Sequence, residues 1–266
     1  MPATFHDILD QLEAASLDSA EKGSRFERLM VSYLKTDPQF AEIYEEVWLW
    51  SNYPDRGKRT DTGIDLVALD KQGEKTAIQC KFFAQTTTVS KPMLDSFLAA
   101  SSKAEFANRL IISTSDKWGK NAEEAIEGQY PPVARLRALD LSASPIDWSQ
   151  FSIEAPEKME KLPPKTPRPY QQEAIDDVIA GFEKADRGKL IMACGTGKTF
   201  TALKLAEEMV PEGGTALFMV PSISLLSQTV REWTAECERP LRCFAVCSDV
   251  KVGKRKKSDS EDISVT

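Results

Sequence analysis

Apolar residues recur at helical spacing between positions 23 and 35, where Phe26, Leu29, Met30, Tyr33 and Leu34 fall at i, i+3, i+4, i+7 and i+8. This spacing predicts an amphipathic helix. Strand-like patterning follows over 43–50, 64–69 and 75–82, the last two separated by Asp70-Lys71-Gln72-Gly73, a hairpin-turn composition. A helix is expected over 92–104, a buried strand over 109–113 (RLIIS), a helix over 121–127 and a strand over 133–139. The predicted order is αβββαβ, then αβ. Between 155 and 169 five prolines fall in fifteen residues (APEKMEKLPPKTPRP), which removes backbone donors and forbids a continuing helix or central strand. A linker over 155–169 is therefore expected to separate a domain at 1–154 from one at 170–266. Beyond it the pattern alternates: strand 190–193, helix 198–209, strand 215–220, helix 223–235, strand 243–247. Alternation of this kind implies a parallel sheet with crossover helices.

Composition narrows the chemistry. The 266 residues are 41% apolar, enough for two cores, and no apolar run approaches the roughly 18 residues of a membrane span. No secretory signal is visible in MPATFHDILDQLEAAS, so a soluble, cytoplasmic protein with no membrane partner is expected. The five cysteines, Cys80, Cys194, Cys237, Cys243 and Cys247, include no C-x-x-C pair, and His6 is the only histidine. A zinc site would lack ligands, and most imidazole chemistry is excluded because His6 falls in a predicted surface helix without a nearby nucleophile. Carboxylates, lysines or hard metal ions must carry any catalysis. The net charge of -7 argues that contact with a nucleic acid is local. Two short basic runs, Arg56-Gly57-Lys58-Arg59 and Lys254-Arg255-Lys256-Lys257, give it minor support, because such runs are usually solvated loops.

Met192-Ala193-Cys194-Gly195-Thr196-Gly197-Lys198-Thr199 lies between a predicted strand and a predicted helix, the context a phosphate-cradling loop requires. Gly195, Thr196 and Gly197 would turn backbone N–H groups toward phosphates, Lys198 would reach the outer phosphates, and Thr199 could bind Mg²⁺. The strict G-x-x-x-x-G-K-[ST] pattern is broken by Met192, while the looser A-x-G-x-G-K-T form starting at Ala193 is satisfied. With Arg168-Pro169-Tyr170-Gln171 upstream, this segment resembles superfamily 2 helicases, in particular the motor subunits of type I restriction enzymes. The resemblance implies ATP as cofactor, Gln171 as the adenine reader and Phe218-Met219-Val220-Pro221-Ser222 as a DNA-backbone motif. No apolar strand ending in D-E-x-x follows, so the chain as given is not expected to hydrolyse ATP efficiently and reads as a motor cut off before completion.

The second constellation is Asp65, followed fourteen residues later by Gln79-Cys80-Lys81. Alternation puts Gln79 and Lys81 on one face of their strand, and a hairpin at 70–73 brings Asp65 roughly opposite; a slip of one residue would turn Asp65 away. Phosphodiester cleavage needs Mg²⁺ held by oxygen ligands, an activated water and positive charge near the phosphate. Asp65, the Gln79 side-chain oxygen and the Cys80 carbonyl can hold the metal, and Lys81 can orient water and stabilise charge. D-x(n)-Q-x-K in an αβββαβ core resembles the PD-(D/E)xK nucleases, specifically the Mrr-like branch whose second acid is Gln. That resemblance implies an accessory glutamate from the first core helix, which falls on Glu27 in Gly23-Ser24-Arg25-Phe26-Glu27, with Asp61 a weaker candidate.

Together these readings give an α/β protein: a restriction-endonuclease-like αβββαβ domain followed by a partial RecA-like parallel α/β domain. The order resembles the N-terminal end of type ISP restriction-modification enzymes. It implies a Mg-dependent, non-sequence-specific endonuclease acting on double-stranded DNA beside an ATP-driven translocase, with the rest of the motor, a methyltransferase and a target-recognition domain as further parts of a full-length protein. Two rival readings stay open: a catalytically inactive DNA-binding module, and a repair or signalling ATPase with an accessory nuclease fold.

Overall fold

The computed structural model of the chain describes residues 3–59, 63–239 and 241–246, and the chain divides into two compact units, 1–162 and 163–266. Among the described residues no helix is long and apolar enough to cross a membrane.

The first unit runs α1 (Phe5–Ala15), α2 (Ser19–Thr36), α3 (Pro38–Ile43), β1 (Tyr44–Leu49), β2 (Leu66–Asp70), β3 (Lys75–Lys81), α4 (Asp95–Ala100), β4 (Asn108–Ser113), α5 (Lys120–Ile126), β5 (Val133–Leu136) and α6 (Ala138–Ser142). The amphipathic stretch read from the sequence is the central part of α2, which begins earlier because Asp18 caps it, its carboxylate accepting the Glu21 N–H. Phe26, Leu29, Met30 and Leu34 are buried on its inner face.

The five strands form one sheet in the order β1-β2-β3-β4-β5, antiparallel from β1 to β3 and parallel from β3 to β5. The β2–β3 turn fixes the register. Gly73 takes a positive φ of 85°, its N–H reaches the Asp70 carbonyl at 3.0 Å, and Asp70 Oδ1 accepts the N–H groups of Gln72 and Glu74. The turn pairs Leu66 with Ile78 and Val67 with Ala77. One sheet face packs Leu66, Ala68, Ile78 and Ile112 against α1, α2 and α6; the other packs Val67, Ala77 and Ile111 against Phe97 of α4 and Ala122 of α5. β3 is thus covered on both faces, and all five of its interior residues, Thr76 to Cys80, are buried.

Several boundaries differ from the pattern. The helix expected over 92–104 is α-helical only at Asp95–Ala100, after a 3-10 turn at Lys91–Met93, and the Ser101 hydroxyl closes it by donating to the Phe97 carbonyl. The strand expected over 133–139 ends at Leu136, because Asp140 accepts the Arg137 N–H at 2.9 Å and starts α6. The first half of the proline-rich stretch folds onto the first unit: Met159 is buried in its core, and the N–H groups of Asp147 and Leu162 bond across to the Glu160 and Pro145 carbonyls.

The second unit contains α7 (Pro169–Phe182), α8 (Lys198–Met209) and α9 (Ile223–Glu236), with Leu203, Trp233 and Cys237 as its core. The helices expected at 198–209 and 223–235 are present. The strands expected at 190–193 and 215–220 are not formed, and the described part of the third, up to Val246, is no strand either. A parallel strand needs neighbours on both sides for its backbone groups and cover on both faces for its side chains. Here Ile191 is 89% exposed, Leu217 86% and Met219 83%, so most side chains of these runs lack the cover a buried strand needs, although Phe218 packs against Trp233. The mixed α/β class rests on the first unit's sheet, and among the described residues the second unit has three helices without the expected strands.

Candidate functional site

β2 begins and β3 and β4 end at one edge of the first unit's core, and the residues with candidate chemistry collect there. Regular continuation of the β2–β3 register would set Asp65 opposite Gln79. Instead the Asp65 N–H donates to the carbonyl of Ile78 at 2.9 Å, the residue already facing Leu66, so the ladder is out of step by one residue at this point. The slip does not carry Asp65 away: its Oδ2 accepts the backbone N–H of Cys80 at 2.7 Å, between Gln79 and Lys81. The Asp65 carbonyl accepts the Trp50 N–H at 2.7 Å, tying the same residue to the chain leaving β1.

Gln79 is completely buried. Its Nε2 donates to the Gly63 carbonyl at 3.0 Å, while its Oε1 is buried with no hydrogen-bond partner among the described residues. A buried amide oxygen left unpaired costs on the order of 1–3 kcal/mol unless something positive meets it. Gly63 was not singled out by the sequence. Its φ is +87°, and a Cβ there would lie 3.0 Å from Ser96 Oγ and 3.3 Å from the Phe97 N atom, so only glycine holds this carbonyl against Gln79 without strain. The signal for it was the glycine two residues before Asp65.

Charge converges on one atom. The Cys80 thiol is pushed well above its ordinary range, first by burial, then by the negative charges of Asp65 and Glu27, with Lys81 acting in the opposite sense. Burial and these negative charges favour the neutral thiol. Glu27 and Asp65 thus lie within electrostatic reach of the same position as Lys81, Glu27 arriving on α2 and Lys81 closing β3. Lys81 is half-buried, and its carbonyl accepts the Thr114 N–H at 3.1 Å. Asp61 lies outside the described residues. Among the described residues no three His, Cys, Asp or Glu side chains group as a metal cage.

Of the two basic runs, Lys254–Lys257 lies outside the described residues, and the other is largely structural. Arg56 Nε and Arg59 Nε donate to each other's carbonyls at 2.9 and 3.0 Å, and Arg59 also pairs with Glu105 and lies over the Trp50 ring.

In the second unit, Gly195 and Gly197 adopt φ of 77° and 79°, the left-handed conformations a phosphate-type loop needs, and Gly197 caps the N-terminus of α8. Lys198 Nζ folds back to the carbonyls of Ala193 and Met192 at 2.9 and 3.3 Å, and Thr196 Oγ1 donates to the Ala193 carbonyl. Thr199 sits in the first turn of α8, its carbonyl accepting Trp233 Nε1. Gln171 is buried with both ends of its amide engaged. Oε1 accepts the Arg168 N–H at 2.9 Å, and Nε2 donates to the Thr196 carbonyl at 2.9 Å. The structure therefore places Gln171 as a strut between α7 and the loop.

Comparison with known proteins agrees with this division. Residues 35–158 match a family described as restriction endonuclease, and residues 164–266 match one described as type III restriction enzyme, res subunit. Among solved structures the chain is similar to LlaBIII, an ATP-dependent type ISP restriction-modification enzyme bound to DNA, at 40% identity and a TM-score of 0.73, over 89% of this chain and 15% of that one. The chain thus spans about 15% of that enzyme's length. No curated protein matches it.

Proposed function

This chain joins a restriction-endonuclease domain to a helicase-like domain, similar to a type ISP restriction-modification enzyme, and from that premise we propose that its first unit is a Mg²⁺-dependent endodeoxyribonuclease that cuts double-stranded DNA without reading its sequence. The observation that carries the reading is Gln79 Oε1, buried and without a hydrogen-bond partner among the described residues, together with the Asp65 carboxylate anchored on the next residue's amide. Such an oxygen is what a hard cation requires from the protein. Asp65, Gln79 Oε1 and the Cys80 carbonyl would hold Mg²⁺. When bound, the ion supplies Lewis acidity toward the phosphate and lowers the pKa of water.

The chain's own residues do the remainder. Lys81 orients the attacking water and places positive charge where negative charge gathers on phosphorus. Glu27, reaching the site from α2, is suited to receive a proton from that water or to add a further oxygen ligand. Burial of Gln79 between two packed sheet faces keeps its oxygen in one place, so no reorganisation is needed when substrate arrives.

For the second unit we propose nucleotide binding by Gly195, Thr196, Gly197, Lys198 and Thr199, within a longer protein whose complete motor moves along double-stranded DNA using ATP and whose further parts methylate and select the target. Binding requires Lys198 to exchange its two loop carbonyls for phosphate oxygens. Gln171 would act by holding the loop, with adenine contact open to it only if it releases Thr196 or Arg168.

Nicking of supercoiled plasmid by the chain in Mg²⁺ tests the nuclease reading. Wild type should nick, Asp65→Ala and Lys81→Ala should lower the rate by about 100-fold or more, and EDTA should abolish it. Equal nicking by all three proteins refutes the assignment. DNA binding without cutting at any Mg²⁺ concentration would favour the inactive-module alternative.

A further inference from the structure

β3 and β4 run parallel and in register, with Lys81 beside Ser113, and both strands end at that rung. Beyond it the chain from Phe82 to Thr88 has no strand or helix of its own. Three consecutive hydroxyl residues at the end of β4, Ser113, Thr114 and Ser115, hold it, and all three are completely buried.

Thr114 makes the closest attachment. Its N–H donates to the Lys81 carbonyl at 3.1 Å, its Oγ1 accepts the Phe83 N–H at 2.7 Å, and the same hydroxyl donates to the Phe83 carbonyl at 2.6 Å. One side chain therefore satisfies both backbone groups of a residue that has lost its strand partner. Ser115 Oγ donates to the Thr87 carbonyl at 2.5 Å and accepts the Lys117 N–H, and Ser113 Oγ bonds within the same turn to the Ser115 backbone. The exposed turn at Ala84, Gln85 and Thr86 is thus pinned at both ends, at Phe83 and Thr87.

A strand end open to water needs none of this, because solvent would satisfy its polar groups. Burying three hydroxyls beside Lys81 is worthwhile only if the backbone there must keep one conformation. We infer that Thr114, supported by Ser113 and Ser115, is a positioning residue for Lys81: it fixes the chain on the C-terminal side of the lysine, so that the ammonium is held in one place relative to Asp65 and Gln79. Thr114 touches no reacting atom and acts through the Lys81 backbone. The inference rests on the reading of Lys81 as catalytic.

The test compares Thr114→Val, which keeps the shape and removes the hydroxyl, with Thr114→Ser, which keeps the hydroxyl, in the full chain. Three quantities are read: hydrogen exchange of the Phe83 amide, the rate at which an amine-reactive reagent labels Lys81 by peptide mass spectrometry, and Mg²⁺-dependent nicking. In Thr114→Val, with circular dichroism unchanged, exchange and labelling should accelerate severalfold and nicking should fall about tenfold or more, as expected when a reacting group is displaced by a fraction of an ångström. Thr114→Ser should restore all three. If Thr114→Val does not fold, Ser115→Ala, which frees only the Thr87 end, is read in the same way. Wild-type labelling of Lys81 together with nicking that merely tracks the folded fraction would overturn the inference. Should wild type fail to nick, the nuclease reading falls, and Lys81 labelling decides the bracing by itself: faster in Thr114→Val supports it, equal rates end it.

Discussion

A fully buried glutamine in the middle of a sheet ordinarily spends both ends of its amide on neighbours. At Gln79 the nitrogen is taken by Gly63 and the oxygen finds no partner among the described residues. Replacing it by glutamate makes the oxygen charged without changing the shape of the site. Buried beside Asp65 with no cation, the new carboxylate should destabilise the first unit by about 1–3 kcal/mol at neutral pH. Mg²⁺ should then recover more stability in Gln79→Glu than in wild type. Thermal unfolding with and without Mg²⁺ measures this, and an equal metal response in both proteins would mean that residue 79 faces no cation. The sequence put Asp65 near the Gln79–Lys81 strand end, and the bond from the Cys80 N–H to Asp65 Oδ2 joins them. Gly63 and Thr114 were not legible, because their contribution is a carbonyl and a hydroxyl placed by backbone conformation, which residue type alone does not announce.

At the scale of elements, the five strands of the first unit were legible from strand-like patterning, the buried run over 109–113 and the Asp70–Gly73 turn, since a sheet covered on both faces calls for apolar residues along its strands. The same apolar signal in 190–193 and 215–220 led to strands that the second unit does not form, because a strand is defined by its neighbours and those runs have none among the described residues. The junction of α2 with α3 also went unread. Asp37 ends α2 and caps α3, its carboxylate accepting the Gln39 N–H and hydroxyl hydrogen bonds from Tyr33 and Ser144. Burial pushes the Asp37 carboxyl above its ordinary range despite those hydrogen bonds. A carboxyl with a raised folded-state pKa favours the folded state most when protonated, so its contribution is present at acid pH and is lost as pH climbs from the ordinary aspartate range through the raised value. Asp37→Asn keeps the cap and cannot ionise. Its stability relative to wild type should rise between pH 4 and neutrality; urea midpoints that shift in parallel for the two proteins would show that Asp37 is not desolvated.

Over the whole molecule the net charge is negative, and Arg56 and Arg59 of one basic run are engaged with each other's backbone carbonyls. Under the proposed reading DNA contact is local, and Asp65, Gln79 and Cys80 are the residues proposed to hold the metal. The two-unit organisation was legible from the prolines, though the first half of that stretch belongs to the first unit's core, since Met159 is apolar and buried there. Manganese, which occupies Mg²⁺ sites and scatters anomalously, tests the central claim most directly. In crystals soaked with Mn²⁺, an anomalous peak should lie about 2.0–2.4 Å from an Asp65 carboxylate oxygen, from Gln79 Oε1 and from the Cys80 carbonyl. No peak at saturating Mn²⁺, or a peak elsewhere with Gln79 Oε1 still bare, would contradict it.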